Sequence, residues 1–161
     1  MNQYIYKTFN YNLSTTIGAS YYSRKYYKNN HCYNLQIWDC TGNARFHSIL
    51  PMCYKNADIA LMIYDVTSDT SFNKCLYMID DLRKVMDIPI FLVGNKIDLK
   101  REVKTEALIR FATEYKTFHH ECSAKLNIGI DELFDKVIDL LPLKPPVILL
   151  HEEPDHCCVL F

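Results

Sequence analysis

The chain has 161 residues, enough for one domain. Apolar residues make up 49%, charged residues 23%, and the formal net charge is −1, the balance of an ordinary globular domain with no large electropositive surface for nucleic acid. No apolar run reaches the roughly 18 residues of a membrane span, and the start, MNQYIYKTFNYN, lacks the basic-then-apolar order of a secretory signal.

In chain order, 17–27 is rich in Tyr and is predicted as a strand. Asn29-Asn30 suits a tight hairpin turn, because Asn tolerates positive φ, and 32–38 is the returning strand. A loop with Gly42, Asn43 and Ser48 follows. The continuous apolar run 59–64 fits a strand buried on both faces. Phe72, Leu76, Ile79, Leu82 and Val85 recur at helical spacing over 72–86. A second buried strand spans 88–93, a short helix 105–113 and a third buried strand 118–122. The last helix, 131–141, carries Leu133, Phe134, Val137, Ile138 and Leu141. Residues 142–161 hold four of the six prolines and no helical period, and are predicted as a flexible tail after a domain spanning 1–141. Strands alternating with helices give an α/β fold with a doubly wound sheet.

Five cysteines, Cys32, Cys40, Cys53, Cys75 and Cys122, stand singly and none forms Cys-x-x-Cys, so neither a zinc site nor a redox pair is implied. His119-His120 lies beside a predicted strand without a second ligand pair at metal spacing, and is expected to be structural or solvated.

In such sheets ligands sit beyond the carboxyl ends of the strands. Asn95-Lys96-Ile97-Asp98 follows one predicted strand. A carboxylate there can accept two hydrogen bonds from a base edge with adjacent N–H and NH₂ groups, which guanine offers and adenine does not. The Lys stem can lie over the ring. Ser123-Ala124-Lys125 follows the next strand, where the N–H near Ala124 can meet the base carbonyl. Upstream, Thr16 and Asp39 are hard oxygen groups suited to magnesium. Gly42 lets its backbone approach a phosphate.

In this order the residues resemble the small GTPases of the Ras superfamily. Trp38-Asp39-x-x-Gly42, Asn95-Lys96-x-Asp98 and Ser123-Ala124-Lys125 look like the family's third, fourth and fifth nucleotide-binding motifs, and Thr16 matches its switch I threonine. Thr16-Ile17-Gly18-Ala19-Ser20, Leu35-Gln36-Ile37-Trp38-Asp39 and Tyr64-Asp65-Val66-Thr67 bring the likeness to Rab proteins, and Arg45-Phe46-His47-Ser48-Ile49-Leu50-Pro51-Met52 to their endosomal branch. The resemblance implies GTP or GDP and Mg²⁺ as cofactors. It implies effectors, an exchange factor, a GTPase-activating protein, an escort protein and a prenyltransferase as partners. It places the protein on the cytosolic face of endosomal membranes. Effector contact is implied for Ile17, Tyr21 and Trp38, with Cys53 where the family's aromatic triad has Tyr.

Two departures accompany the resemblance. The first family motif, G-x-x-x-x-G-K-[ST], builds the phosphate cradle. Lys7-Thr8 imitates its final dipeptide, but Met1 and Tyr6 occupy the glycine positions. Tyr4-Ile5-Tyr6 aligns instead with the last turn of the family's first helix, so the chain is expected to lack the cradle and the central first strand. That loss would leave the strands 32–38 and 59–64 with unpaired edges inside the core, as in a truncated or alternative form. Second, Asn43 stands where the family has the Gln that orients the attacking water. Asn is shorter by one methylene, about 1.5 Å, so slow or absent hydrolysis is expected.

Cys157-Cys158-Val159-Leu160-Phe161 fits a CaaX box with a geranylgeranyl-type terminus, and also resembles the doubly geranylgeranylated Rab tail. Val147-Ile148-Leu149-Leu150 resembles the apolar segment Rabs offer their escort protein. Two functions remain in view: a Rab-type GTP-binding switch in vesicle traffic with impaired nucleotide chemistry, and a prenylated pseudo-GTPase module that binds effectors or escort proteins without switching.

Overall fold

A computed structural model describes residues 1–42 and 50–141, and the backbone alone of Leu50 and of 156–160. Strands β1 (Ala19–Lys28) and β2 (His31–Cys40) form an antiparallel hairpin, with Tyr21 opposite Trp38 and Lys28 opposite His31. Its turn is Asn29-Asn30, with φ of 51° and 64°, the left-handed pair of a type I′ turn. Exposed Tyr21, Ser23, Lys25 and Tyr27 alternate with half-buried Tyr22, Arg24, Tyr26 and Lys28, so one face of this edge strand meets the core.

Strands β3 (Ile59–Asp65) and β4 (Ile90–Asn95) pair in parallel, from Ala60 opposite Ile90 to Asp65 opposite Asn95. They are apolar almost throughout because helices cover both faces. Helices α1 (Asn2–Tyr6) and α5 (Ile130–Leu140) lie on one face, where Tyr4, Leu133, Phe134 and Val137 pack against Leu35, Ile37, Ile59 and Leu61. Helices α3 (Asp69–Arg83) and α4 (Thr105–Glu114) lie on the other, where Phe72, Ile79, Leu108 and Phe111 meet Ala60, Met62, Tyr64 and Leu92. The alternation of Ile59 and Leu61 with Ala60, Met62 and Tyr64 between these two clusters is the period-2 signature of a central strand. A short helix α2 (Leu50–Tyr54) precedes β3. The predicted α/β class, a mostly parallel sheet with one antiparallel strand, is the observed one.

Element ends differ from expectation for local reasons. Helix α3 starts at Asp69 because the Ser68 hydroxyl caps it, accepting the Ser71 N–H at 3.2 Å. Strand β4 starts at Ile90, after Pro89, which has no N–H and offers its carbonyl to the Ala60 N–H at 3.0 Å. Strand β5 (Phe118–Glu121) was expected to be buried, but it pairs with β4 alone and forms the sheet edge, leaving Phe118 44% exposed. Tyr4-Ile5-Tyr6 does form the end of a helix, closed by Lys7 at φ 53°.

The place between β2 and β3, where the first strand is expected to be missing, is taken by a C-terminal segment. His156–Leu160 forms strand β6, and the sheet order is β1-β2-β6-β3-β4-β5. Strand β6 runs parallel to both neighbours, with Asn34 to Trp38 on one side and Ile59 and Ala60 on the other. The facing edges of β2 and β3 are therefore paired by the chain's own C-terminal backbone. The physical reason is the one that made a gap costly: a buried backbone group without a partner costs about 1–3 kcal/mol. Residues 142–155 lie outside the described residues.

Candidate nucleotide site

Strands β2, β6, β3, β4 and β5 are parallel, so the segments after Cys40, Asp65, Asn95 and Glu121 all leave at one edge of the sheet. Two of the predicted motifs meet there as one unit. Asn95 Oδ1 accepts the Ala124 N–H at 3.0 Å, and Asp98 Oδ1 accepts the Ser123 hydroxyl at 2.5 Å. The fully buried Ser123 also accepts the Leu126 N–H at 3.1 Å, which closes its own loop. Backbone bonds from Cys122 N to Gly94 O and from Ile97 N to Cys122 O tie the two loops at their roots. Arg101 adds an ion pair to Glu121. One Asp98 oxygen is thus held in place, and its partner Oδ2 is the group suited to a base edge. The Ala124 N–H, expected to face the base oxygen, donates to Asn95 instead.

Lys96 sits at φ 69°, and its ammonium lies 2.5 Å from Asp65 Oδ2. Asp65 Oδ1 accepts from the Thr67 N–H at 2.9 Å and the Thr67 hydroxyl at 2.8 Å. Burial pushes the Asp65 carboxyl up, but the bonds from Lys96 and Thr67 outweigh it and hold it below the usual range. Asp65 is a site residue that the motifs alone do not single out. Its signal is Asp65-Val66-Thr67, an Asx-type turn directly after a buried strand. Tyr11 is another, since the Lys125 ammonium stands 5.6 Å from its ring centroid.

At the other end of the site, Thr16 stands near enough to Asp39 to favour its charged carboxylate. The Thr41 N–H donates to Gly18 O at 3.0 Å, which pins the 16–18 segment against the end of β2. Gly18 is at φ 76°, a left-handed conformation that favours glycine. Burial raises the Asp39 carboxyl, opposed by the nearby Met1 ammonium and by Thr16. Gly42 is exposed, and among the described residues no atom lies within 4 Å of where a Cβ would stand. Lys7 Nζ pairs with Asp131 at 2.5 Å, so the Lys7-Thr8 dipeptide belongs to the α1–α5 contact and not to a phosphate loop. Asn43 lies outside the described residues. Among the described residues, no group of three or more His, Cys, Asp or Glu side chains could hold a metal ion.

These donor sets fit a guanine base at the Asp98 end, and Thr16 with Asp39 fit a hard divalent cation. The residues described near Gly42 do not build the nest of successive N–H groups that a diphosphate needs.

On the neighbouring surface, Tyr21 and Trp38 pack with ring centroids 5.1 Å apart. Ile17 is 82% exposed and Tyr21 48%, whereas Cys53 is 5% exposed, in the cluster that also holds Cys40. The structure therefore displays Ile17 and Tyr21 and buries the Cys53 thiol. Cys157 and Cys158 lie within β6, opposite Leu35 and Gln36. The paired histidines are both engaged: His119 Nε2 lies 3.3 Å from the Tyr64 hydroxyl, and His120 Nε2 lies 2.7 Å from Gly129 O, to which it donates.

The sequence model of the Ras family matches residues 1–142. Curated relatives include the Ras-related protein Rab-21 of Mus musculus and of Rattus norvegicus, each 38% identical over 136 residues. The Canis lupus familiaris protein of the same name is 37% identical. Each alignment covers 82% of this chain and 61% of the relative, so the chain spans about three-fifths of the length of the relatives it matches. Family match and sheet agree: the chain belongs to the Ras family, and the relatives it is similar to are Ras-related Rab proteins.

Proposed function

We propose that this chain is a guanine-nucleotide-binding member of the vesicle-traffic machinery, working at endosomal membranes, with weak phosphate binding and slow or absent GTP hydrolysis. The carrying observation is the cross-bonded pair of base loops, Asn95 to Ala124 and Asp98 to Ser123. This arrangement presets a carboxylate for the guanine edge before any ligand arrives. Thr16 and Asp39 would hold Mg²⁺, which when bound neutralises phosphate charge. Ile17, Tyr21 and Trp38 form the effector-facing surface, and Cys157 and Cys158 are the sites of geranylgeranyl attachment.

Calorimetry of the full chain with GDP, ADP and xanthosine diphosphate tests this directly. GDP should bind and ADP should not. Asp98→Asn should move the preference to xanthosine diphosphate, because an amide donates where the carboxylate accepted and xanthine has an oxygen there. Equal affinity for GDP and ADP would defeat the proposal.

A second reading, a prenylated module that engages partners without switching, draws support from Lys7. Its ammonium is committed to Asp131 rather than to a phosphate, and Ile17 and Tyr21 are exposed. It predicts effector binding that GDP and GTP leave unchanged.

A further inference from the structure

The β3–α3 turn borders the base loops, and its Asp65 is anchored from several sides. Asp65 ends β3 opposite Asn95 in the register, and Lys96 follows Asn95 directly. The Asp65 N–H donates to the Ser71 hydroxyl in the first turn of α3 at 3.0 Å, and Oδ1 is occupied by the Thr67 N–H and hydroxyl. Next to it, the Val66 N–H donates to Asn95 O at 3.0 Å, and Val66 O accepts the N–H groups of Glu102 and Val103 at 2.9 and 3.2 Å. These bonds tie the turn to the loop that carries Asp98. With Oδ1 spent, Oδ2 is the oxygen that meets the Lys96 ammonium at 2.5 Å. The Asp65 side chain is 22% exposed and that of Lys96 53%, so the acid is the fixed partner and the lysine the one held. Two more lysines follow the same pattern: Lys125 Nζ lies 5.6 Å from the Tyr11 ring centroid, and Lys7 is paired with Asp131. Each of these cations is thus engaged by the chain itself.

We propose that Asp65 determines ligand specificity at this site: by holding the Lys96 ammonium it sets the Lys96 stem as a wall for the guanine ring and withholds that charge from phosphate, so that the site takes guanine nucleosides as a class, with or without phosphates. The proposal rests on the guanine reading above. The two halves of such a ligand ask different things of Lys96. The base is uncharged and gains from a methylene stem laid along its face, whereas a phosphate gains from the ammonium. An ion pair at the tip of the stem favours the first demand, because it fixes the stem's direction and cancels its charge. Asp65→Asn separates the two. The amide oxygen can still accept from Thr67, so the turn keeps its bonds. The amide N–H groups then face an ammonium, donor against donor, and the lysine is released with its charge uncancelled.

The test is calorimetry of the full chain with guanosine and with GDP, for the wild type, Asp65→Asn, Lys96→Met and the double variant, at low and high salt. Asp65→Asn should weaken guanosine by about threefold or more. It should nevertheless raise the ratio of GDP to guanosine affinity by about threefold or more, since the site gains a positive charge. High salt should erase that rise. In the Lys96→Met chain, Asp65→Asn should weaken guanosine no further, because the two residues act as one unit. A merely structural Asp65 would weaken both ligands alike, and that result, or unmoved affinities, overturns the proposal. So does additive loss in the double variant. If Asp65→Asn fails to fold, NMR of the wild type decides: the Lys96 ammonium should keep its contact with the Asp65 carboxylate when guanosine binds, and loss of that contact overturns the proposal. A wild type that binds neither ligand defeats the guanine reading and this proposal together. One that binds guanosine, with an unmoved ratio in Asp65→Asn, defeats this proposal alone.

Discussion

The two ends of the nucleotide site are built differently. At the base end, side chains from two loops bond to each other, and every group that positions Asp98 is already in place. At the phosphate end, Thr16 stands near Asp39 without a cross-bonded loop, and no described atom crowds Gly42. The base end is self-supporting because its motifs follow adjacent parallel strands, β4 and β5, whose register fixes the loops relative to each other. The phosphate end draws on segments far apart in sequence, and among the described residues its backbone donors are few. Specificity for the base and affinity for the phosphates are thus separable properties of this fold.

Substitutions at each end sharpen or break that contrast. Asp98→Ala should have the largest effect, removing the charged acceptor for about 3 kcal/mol, on the order of a hundredfold in GDP affinity by calorimetry. Asn95→Ala should come next. It leaves the Ala124 N–H without its acceptor at a cost of about 1–3 kcal/mol, visible as a lower Tm and as weaker GDP binding. Gly129→Ala should cost about 1–2 kcal/mol for the left-handed backbone, plus strain, because φ is 71° and the new Cβ would stand 2.5 Å from Glu121 O. Thr16→Ala should change GDP affinity by less than about threefold, or roughly 0.7 kcal/mol. A hundredfold loss there would erase the distinction between the two ends.

The smallest effect is a pH slope. Burial is the main cause holding His119 below its ordinary pKa of 6.5, with Arg101 and His120 adding to it and Glu121 opposing. The unfolded chain therefore takes up a proton first as pH falls through 6.5, and stability drains away below that pH. Thermal melts between about pH 7.5 and 5.5 should show the decline, and His119→Gln should flatten it.

Much of this was legible in the residues. Asn95 and Asp98 could be placed because they follow an apolar run whose strand character is local, and Ser123 and Ala124 because they follow that motif in the order the resemblance implies. Asn29-Asn30 announced its hairpin for the same reason. The edge position of β5 was not legible, since Phe118 is as apolar as a buried residue and exposure depends on which strand stands beside it. The bond from Ala124 to Asn95 depends on loop spacing across two strands. Strand β6 was hidden by its composition: prolines and acidic residues before it suggest a tail, whereas its place depends on the backbone needs of β2 and β3, more than a hundred residues upstream for β2. Local pattern found the pieces, and tertiary demand decided which piece filled the slot.

The contrast between the two ends is tested most directly by comparing guanosine with GDP on the 161-residue chain by calorimetry. A self-supporting base end and an open phosphate end predict that both bind, with GDP tighter by no more than about tenfold, or roughly 1.4 kcal/mol. GDP tighter by about ten-thousandfold or more, with guanosine binding undetectable, would contradict it.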